Sequence, residues 1–288
     1  MQTRQVIVPY HRRDRLGGKI ALTEAIPPLG DGNETGVTMT EAGERRADST
    51  RQRLIAAASR QFAHRSYSMV SLDDILADAE LTKGAMYFHF PSKQALALAI
   101  VDDLSEMTRA AVRDTLARRM SGLETLIDLF YLLSVQDIQH EVARAGARLL
   151  ETLDNTTAVP ARLWHAWIKF VTTVIEKAVA DGDVVDHTDP DDIAKMLVAL
   201  WAGMRRISDL GQPEHHLDNL QRAWILALPS FTNPDRIDYF VQFIKRRHAL
   251  AVKKVSQAPS LDTTSPPPPN CIPTASPTAV GLQPGTAG

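Results

Sequence analysis

From about Arg46 to about Lys254 the apolar positions recur every three to four residues, the period of helices buried along one face. Leu54, Ile55, Ala58 and Phe62 form one stripe, and Leu72, Ile75, Leu76 and Ala79 form a second. Ser71 stands where an N-cap accepts a backbone N–H, and Asp73 and Asp74 follow in the first turn, where the helix dipole favours acids. After a break at Glu80–Leu81, Thr82 caps a short helix from Lys83 to Phe88. Pro91 ends it, because the residue before a proline avoids the α region. Ser92 then caps a long helix, "SKQALALAIVDDLSEMTRAAVRDTLARR". Further helices are expected near 123–135, 137–153, 160–181, 190–209, 214–228 and 234–254, punctuated by Gly122, Pro160, Gly182, Pro190, Pro213 and Pro234. Alternating β-branched runs are scarce, so the expected fold class is all-α.

The flanks lack this period. Residues 1–44 carry breakers such as "IPPLGDGNETG" and read as a disordered N-terminal arm, with Met39 as an alternative start of the chain. Residues 255–288 form a Pro-, Ser- and Thr-rich tail with little to bury, also expected to be disordered. No internal repeat is present. The single cysteine, Cys271, excludes a disulfide framework and thiolate metal clusters and suits a reducing cytoplasm. No apolar run approaches the ~20 residues of a membrane helix.

Three short helices, the last two joined by a tight turn, make a helix-turn-helix arrangement. In that motif the N-terminal residues of the second helix of the pair meet base edges in the major groove. Here these are Thr82, Lys83, Gly84 and Ala85. Lys83 suits a guanine edge or a phosphate, and the small Gly84 and Ala85 permit close approach. Tyr87, His89 and Lys93 suit phosphate, while Phe88 and Phe90 are assigned to the small core beneath. The whole chain has a formal net charge of −2. Across Arg45–Lys93, 8 Lys and Arg oppose 5 Asp and Glu, a local balance of +3. Spacing alone leaves open a generic three-helix bundle with a solvated basic face.

The stretch "SLDDILADAELTKGAMYFHFPSKQALALAI" resembles the DNA-binding segment of tetracycline-repressor-type (TetR family) regulators, whose recognition helix reads T-K-G-x-x-Y-x-H-F and is followed by x-S-K-x-x-L. The resemblance covers roughly residues 46–100. It implies DNA contacts at Thr82, Lys83, Gly84, Tyr87, His89 and Lys93, and a phosphate contact at Ser71. It also implies an N-terminal helix-turn-helix DNA-binding domain over 45–92 and a C-terminal helical domain over 93–254 that binds a ligand and dimerises. The implied partners are a double-stranded palindromic operator, a second copy of the chain and a small hydrophobic effector; no cofactor, metal or membrane is implied. The family's dimer bundle maps onto "DDIAKMLVALWAGMRRISDL" and "HHLDNLQRAWILALPSF", with Ile193, Leu197, Leu200, Met204, Leu220 and Trp224 as candidate interface residues; burial in the subunit's own core is the alternative. "EVARAGARLLETLD" with "ARLWHAWIKF" is similar to the γ-butyrolactone autoregulator receptor branch. That similarity places Trp164 in a ligand cavity, where Phe130, Leu133, Trp201 and Met204 are further candidate walls; a core role for Trp164 is the competing account.

Other signals are weaker. His215 and His216 are adjacent and read as a surface helix start, not a zinc site. The acidic run 181–192 lacks the order of a calcium loop, and "RLGGK" lacks phosphate-loop spacing. "KRRH" at 245–248 reads as a solvated helix face. No serine or cysteine has a base partner at motif spacing, so the expected function is a regulator, not an enzyme. The alternative is a DNA-binding or architectural protein without a ligand.

Overall fold

In a computed structural model of the protein, which describes residues 41–153, 157–208 and 212–257, the helical period runs nearly unbroken. The helices are α1 (Glu41–His64), α2 (Leu72–Ala79), α3 (Lys83–His89), α4 (Lys93–Ala117) and α5 (Gly122–Gln139). They are followed by α6 (Glu141–Thr152), α7 (Val159–Ala180), α8 (Pro190–Ile207), α9 (Pro213–Ala227) and α10 (Ile237–Ser256). Among the described residues there is no strand, only an isolated bridge between Val184 and Thr232. The fold is all-α, as expected.

The boundaries differ in detail. α1 begins at Glu41, inside the arm expected to be disordered. α10 runs to Ser256, just inside the expected tail. Residues 1–40, with Met39, and 258–288, with Cys271, lie outside the described residues. The α5–α6 break falls at His140, not near 136. There Arg144 Nη1 donates to the carbonyls of Ile138 at 2.7 Å and Asp137 at 3.3 Å, so that α5 can end on satisfied acceptors.

Local chemistry sets the N-terminal helices. Ser71 accepts from Asp74 N while the Asp74 carboxylate accepts from Ser71 N, a reciprocal cap on α2. Such caps contribute about 1 kcal/mol each. α2 stops at Glu80, whose φ of 52° is left-handed. Thr82 then accepts from Ala85 N at 3.2 Å and starts α3. Leu54, Ala58 and Phe62 of α1, Ile75 and Leu76 of α2, Met86 of α3 and Phe90 are buried together. Phe88 is a correction: it is 68% exposed. Met86 faces the core, and two residues on, about 200° around a helix, the side chain leaves it.

This three-helix unit is packed against the remainder through α1 on α6 and α6 on α4. Gly146 makes the second crossing possible, since a Cβ there would lie 2.7 Å from Leu104 Cβ and 3.2 Å from Ile100 O. α5 is buried along most of its length. Its N-terminus presses on α7, where a Cβ on Gly122 would lie 2.6 Å from Val174 O. Asp128, fully buried on α5, pairs with Arg118 and with Arg247, which ties α10 to the bundle.

The candidate dimer residues are a second correction. Ile193, Leu197, Met204, Leu220 and Trp224 are buried in the chain's own core, and Leu200 is half-buried. α8 turns that stripe toward its own neighbours α7 and α9. The flank of α8 beside that stripe exposes Met196, Gly203 and Ile207, and α9 exposes Leu226.

His215 is exposed as expected, but His216 is 1% exposed, with neither ring nitrogen hydrogen-bonded. Burial, followed by the nearby Arg205 charge, lowers its pKa to about 4. The unfolded chain therefore binds this proton near pH 6.5 and the folded chain only near 4. The contribution of neutral His216 is fully present above pH 6.5 and is lost as pH falls toward 4, amounting to roughly 3 kcal/mol. His216→Leu is expected to flatten the fall in urea-unfolding free energy between pH 7 and pH 4.5; an unchanged pH profile contradicts the assignment.

Candidate functional site

The short turn after α2 and the Thr82 cap set α3 with one arc outward. Thr82, Lys83, Gly84, Tyr87 and Phe88 are exposed, and Ala85 and His89 are half-buried. Counting about 100° per residue, Lys83, Tyr87, Gly84 and Phe88 follow one another around that arc. Met86 and Phe90 anchor the other side.

Each side chain expected to meet DNA has a defined state. Lys83 Nζ lies 2.8 Å from Asp73 Oδ1, and this carboxylate raises the ammonium's pKa. Burial, then the Arg51 charge, lowers the pKa of His89, so its neutral form is favoured. Lys93 is half-buried. Its Nζ donates to Tyr67 O at 2.5 Å and sits 4.2 Å from the Tyr67 ring centre, and burial lowers its pKa. An ammonium has three N–H donors, so this bond leaves two. Ser71 and Thr82 use their oxygens as caps while their hydroxyl protons remain free to donate.

Gly84 is informative because no packing contact among the described residues demands it. A Cβ there would meet only Thr82 Oγ1, at 3.9 Å. Alanine would fit the described chain and is the better helix former.

The second feature is a cleft between α4, α5, α6, α7 and α8 with a cavity volume of about 70 Å³, opening to solvent. Its walls are Leu104, Ser105, Thr108, Leu133, Gln136, Asp137, Leu150, Leu163, Trp164, Trp167, Trp201 and Arg205. Of the expected residues, Trp164, Leu133 and Trp201 line it. Phe130 and Met204 do not: both are buried in the core. Phe130 stands behind the wall in an aromatic cluster, its ring 6.4 Å from Trp167, 5.8 Å from Trp201 and 5.5 Å from Trp224. Trp164 is half-buried at the edge of the core.

The cleft also holds a buried ion pair that sequence reading missed. Arg205 Nη2 donates to Asp137 Oδ1 at 3.1 Å, and Arg205 Nε lies 2.8 Å from Asp137 Oδ2. Burial pushes the Asp137 carboxyl up, and Arg205 and Arg144 oppose that shift. Arg205 also lies 4.6 Å from the Trp201 ring centre. The two are 68 positions apart, and no local pattern links them. Among the described residues no three His, Cys, Asp or Glu side chains form a metal-binding group, and no helix is long and apolar enough to cross a membrane.

Comparison with known proteins matches residues 54–100 to the model "Bacterial regulatory proteins, tetR family" and residues 156–224 to "Tetracyclin repressor-like, C-terminal domain". The transcriptional regulator TtgR of Pseudomonas putida is 38% identical over 213 residues, covering 69% of this chain and 89% of that protein. The A-factor receptor protein of Streptomyces griseus is 29% identical over 194 residues, 67% of each chain. CprB from Streptomyces coelicolor, solved in complex with its biological operator sequence, matches with a TM-score of 0.63 at 30% identity, covering 71% of this chain and 99% of that one. A γ-butyrolactone receptor (ArpA-like protein) matches with a TM-score of 0.61 at 29% identity, covering 71% and 100%.

The reader geometry makes a direct prediction. Gly84→Ala is expected to leave the free chain as stable or about 0.5–1 kcal/mol more so, while weakening binding to duplex DNA on the order of tenfold or more. Thermal unfolding and fluorescence anisotropy measure the two effects; equal DNA affinity contradicts the assignment of this arc.

Proposed function

The chain belongs to the tetR family of bacterial regulatory proteins, and we propose that it is a transcriptional repressor that grips a palindromic operator as a homodimer and is released by a small hydrophobic effector. One observation carries this reading: only three residues separate the end of α3 from the start of α4, and α4 supplies Leu104, Ser105 and Thr108 to the wall of the cleft. A ligand that prefers one placement of α4 therefore biases the placement of α3. Such a ligand acts only through its differential affinity for the two arrangements.

The cleft suits a molecule with an apolar body and a few hydrogen-bonding groups. Three tryptophans and four leucines supply the apolar walls, and Ser105, Thr108, Gln136 and the Asp137–Arg205 pair supply the polar contacts. An alkyl-substituted γ-butyrolactone has this composition, and the similarity to the A-factor receptor and to a γ-butyrolactone receptor supports the same class.

Two copies are required because a helix-turn-helix reader meets successive half-sites about one DNA turn apart, roughly 34–36 Å, and a two-fold pair matches a palindrome. The side of α8 bearing Met196, Leu200, Gly203 and Ile207, with Leu226 on α9, supplies an apolar surface for that pairing. Ile207 and Leu226 are 78% and 81% exposed in the single chain.

Two measurements test the reading. With DNA from upstream of the protein's own gene, gel retardation by the full chain is expected to be reversed by an alkyl γ-butyrolactone. Trp164→Ala should bind the DNA as tightly and resist release. If no lactone releases the wild type, the effector class is wrong, and if Trp164→Ala is released normally, Trp164 is not part of the ligand site. Separately, Ile207→Glu with Leu226→Glu should give a monomer by light scattering and lose operator binding. A dimer that persists places the interface elsewhere.

A further inference from the structure

The outward arc of α3 carries one large side chain that the reading above leaves without a task. Phe88 is 68% exposed, and its ring meets His89 edge-on with centroids 5.0 Å apart. The T-K-G-x-x-Y-x-H-F pattern leaves its position open, and the chain's own core does not use it. Around the helix Phe88 lies about 40° from Gly84 and about 100° from Tyr87. It thus closes the side of the arc opposite Lys83. One turn before it, Gly84 presents no side chain, and among the described residues only Thr82 Oγ1, at 3.9 Å, comes near the place of a missing Cβ. The gap leaves the ring an unobstructed path to whatever surface α3 faces.

In the major groove the base edges are largely polar, and the one sizeable apolar group is the C5 methyl of thymine. We propose that Phe88 is a base-reading residue whose ring packs on a thymine methyl in each half-site, specifying a T·A pair there. Lys83 and Tyr87 hold the other side of the helix to the duplex. The inference rests on α3 being the recognition helix, and it adds a specificity determinant that backbone contacts cannot supply.

The test uses the full chain, wild type and Phe88→Ala, each selecting from a random-sequence duplex library. Because Phe88 is exposed, Phe88→Ala should melt at the wild-type temperature. The wild type is expected to enrich a two-fold sequence with a fixed thymine in each half-site, and Phe88→Ala to lose that requirement. Each thymine of the wild-type consensus is then replaced by deoxyuridine, which removes the methyl and nothing else. At the position read, this should weaken wild-type binding about four-fold per half-site, the transfer free energy of one methyl group. Phe88→Ala should not respond.

The proposal is overturned if Phe88→Ala selects the same sequence with the same affinity. It is equally overturned if Phe88→Ala weakens all duplexes alike and no deoxyuridine has an effect, because the ring then packs on sugars. If the wild type enriches no duplex at all, the DNA-binding reading itself fails. Enrichment without methyl sensitivity leaves that reading standing and removes only the role of Phe88.

Discussion

The contact on which the rest depends is the crossing of α6 over α4 at Gly146. Without a Cβ the α6 backbone rests on Leu104 and the Ile100 carbonyl. Leu104 is also a wall of the cleft, and α6 in turn carries α1, the longest helix of the reader. One point of close packing thus joins cleft, α4 and reader. Cores are dense and yield in discrete steps, not by smooth deformation. A ligand that displaced Leu104 would press on α6, the helix against which α1 packs. The reader is linked to the cleft twice, along α4 by chain continuity and across α6 by packing.

Electrostatics reinforces the same frame. α5 buries two carboxylates, and each is met by arginine from elsewhere in the chain. Asp128 takes Arg118 and Arg247, and Asp137 takes Arg205. Buried ion pairs add little net stability over apolar packing, but removing one partner costs about 3–5 kcal/mol because the other charge is stranded. Their effect here is on arrangement: a shift of α8 or α10 along α5 separates a pair. Asp137 has a further position, since Arg205 lines the cleft and Arg144, on α6, binds the carbonyls at the end of α5. The polar side of the cleft is continuous with the helix that supports the reader.

These features were unequally legible in the sequence. The reader is written in local signals, namely Ser71, Thr82 and Ser92 as caps, Pro91 as a stop and the T-K-G-x-x-Y pattern, and all of them appear at their expected places. Phe88 escaped because an aromatic beside a core position is ordinarily core, and only the count around the helix sends it outward. The cleft was half legible. Trp164, Leu133 and Trp201 line it, whereas Phe130 stands behind it and Met204 is buried away from its lining, because apolarity alone does not tell a wall residue from a core residue. Trp167 and the Asp137–Arg205 pair were missed, since five helices assemble the cleft and no spacing within one helix encodes it. On α8 the more hydrophobic stripe was assigned to a partner subunit, but it is the one the chain buries itself.

The cations of the reader show how the free chain treats its own binding surface. The segment has a positive balance, yet Lys83 is held by Asp73 and Lys93 by the Tyr67 carbonyl and ring. Both attachments keep the side chains ordered before DNA arrives, which lowers the entropy still to be lost on binding. The two differ in what DNA must displace. The Lys83–Asp73 pair is exposed and screened by solvent, so a phosphate or a guanine edge can replace the carboxylate readily. Lys93 is half-buried, and its bond to Tyr67 braces the loop between α1 and α2 against α4. It can turn its remaining N–H groups to a phosphate without giving up that bond. On the proposed reading Lys83 would exchange Asp73 for DNA, whereas Lys93 would keep its bond to Tyr67 and add a phosphate.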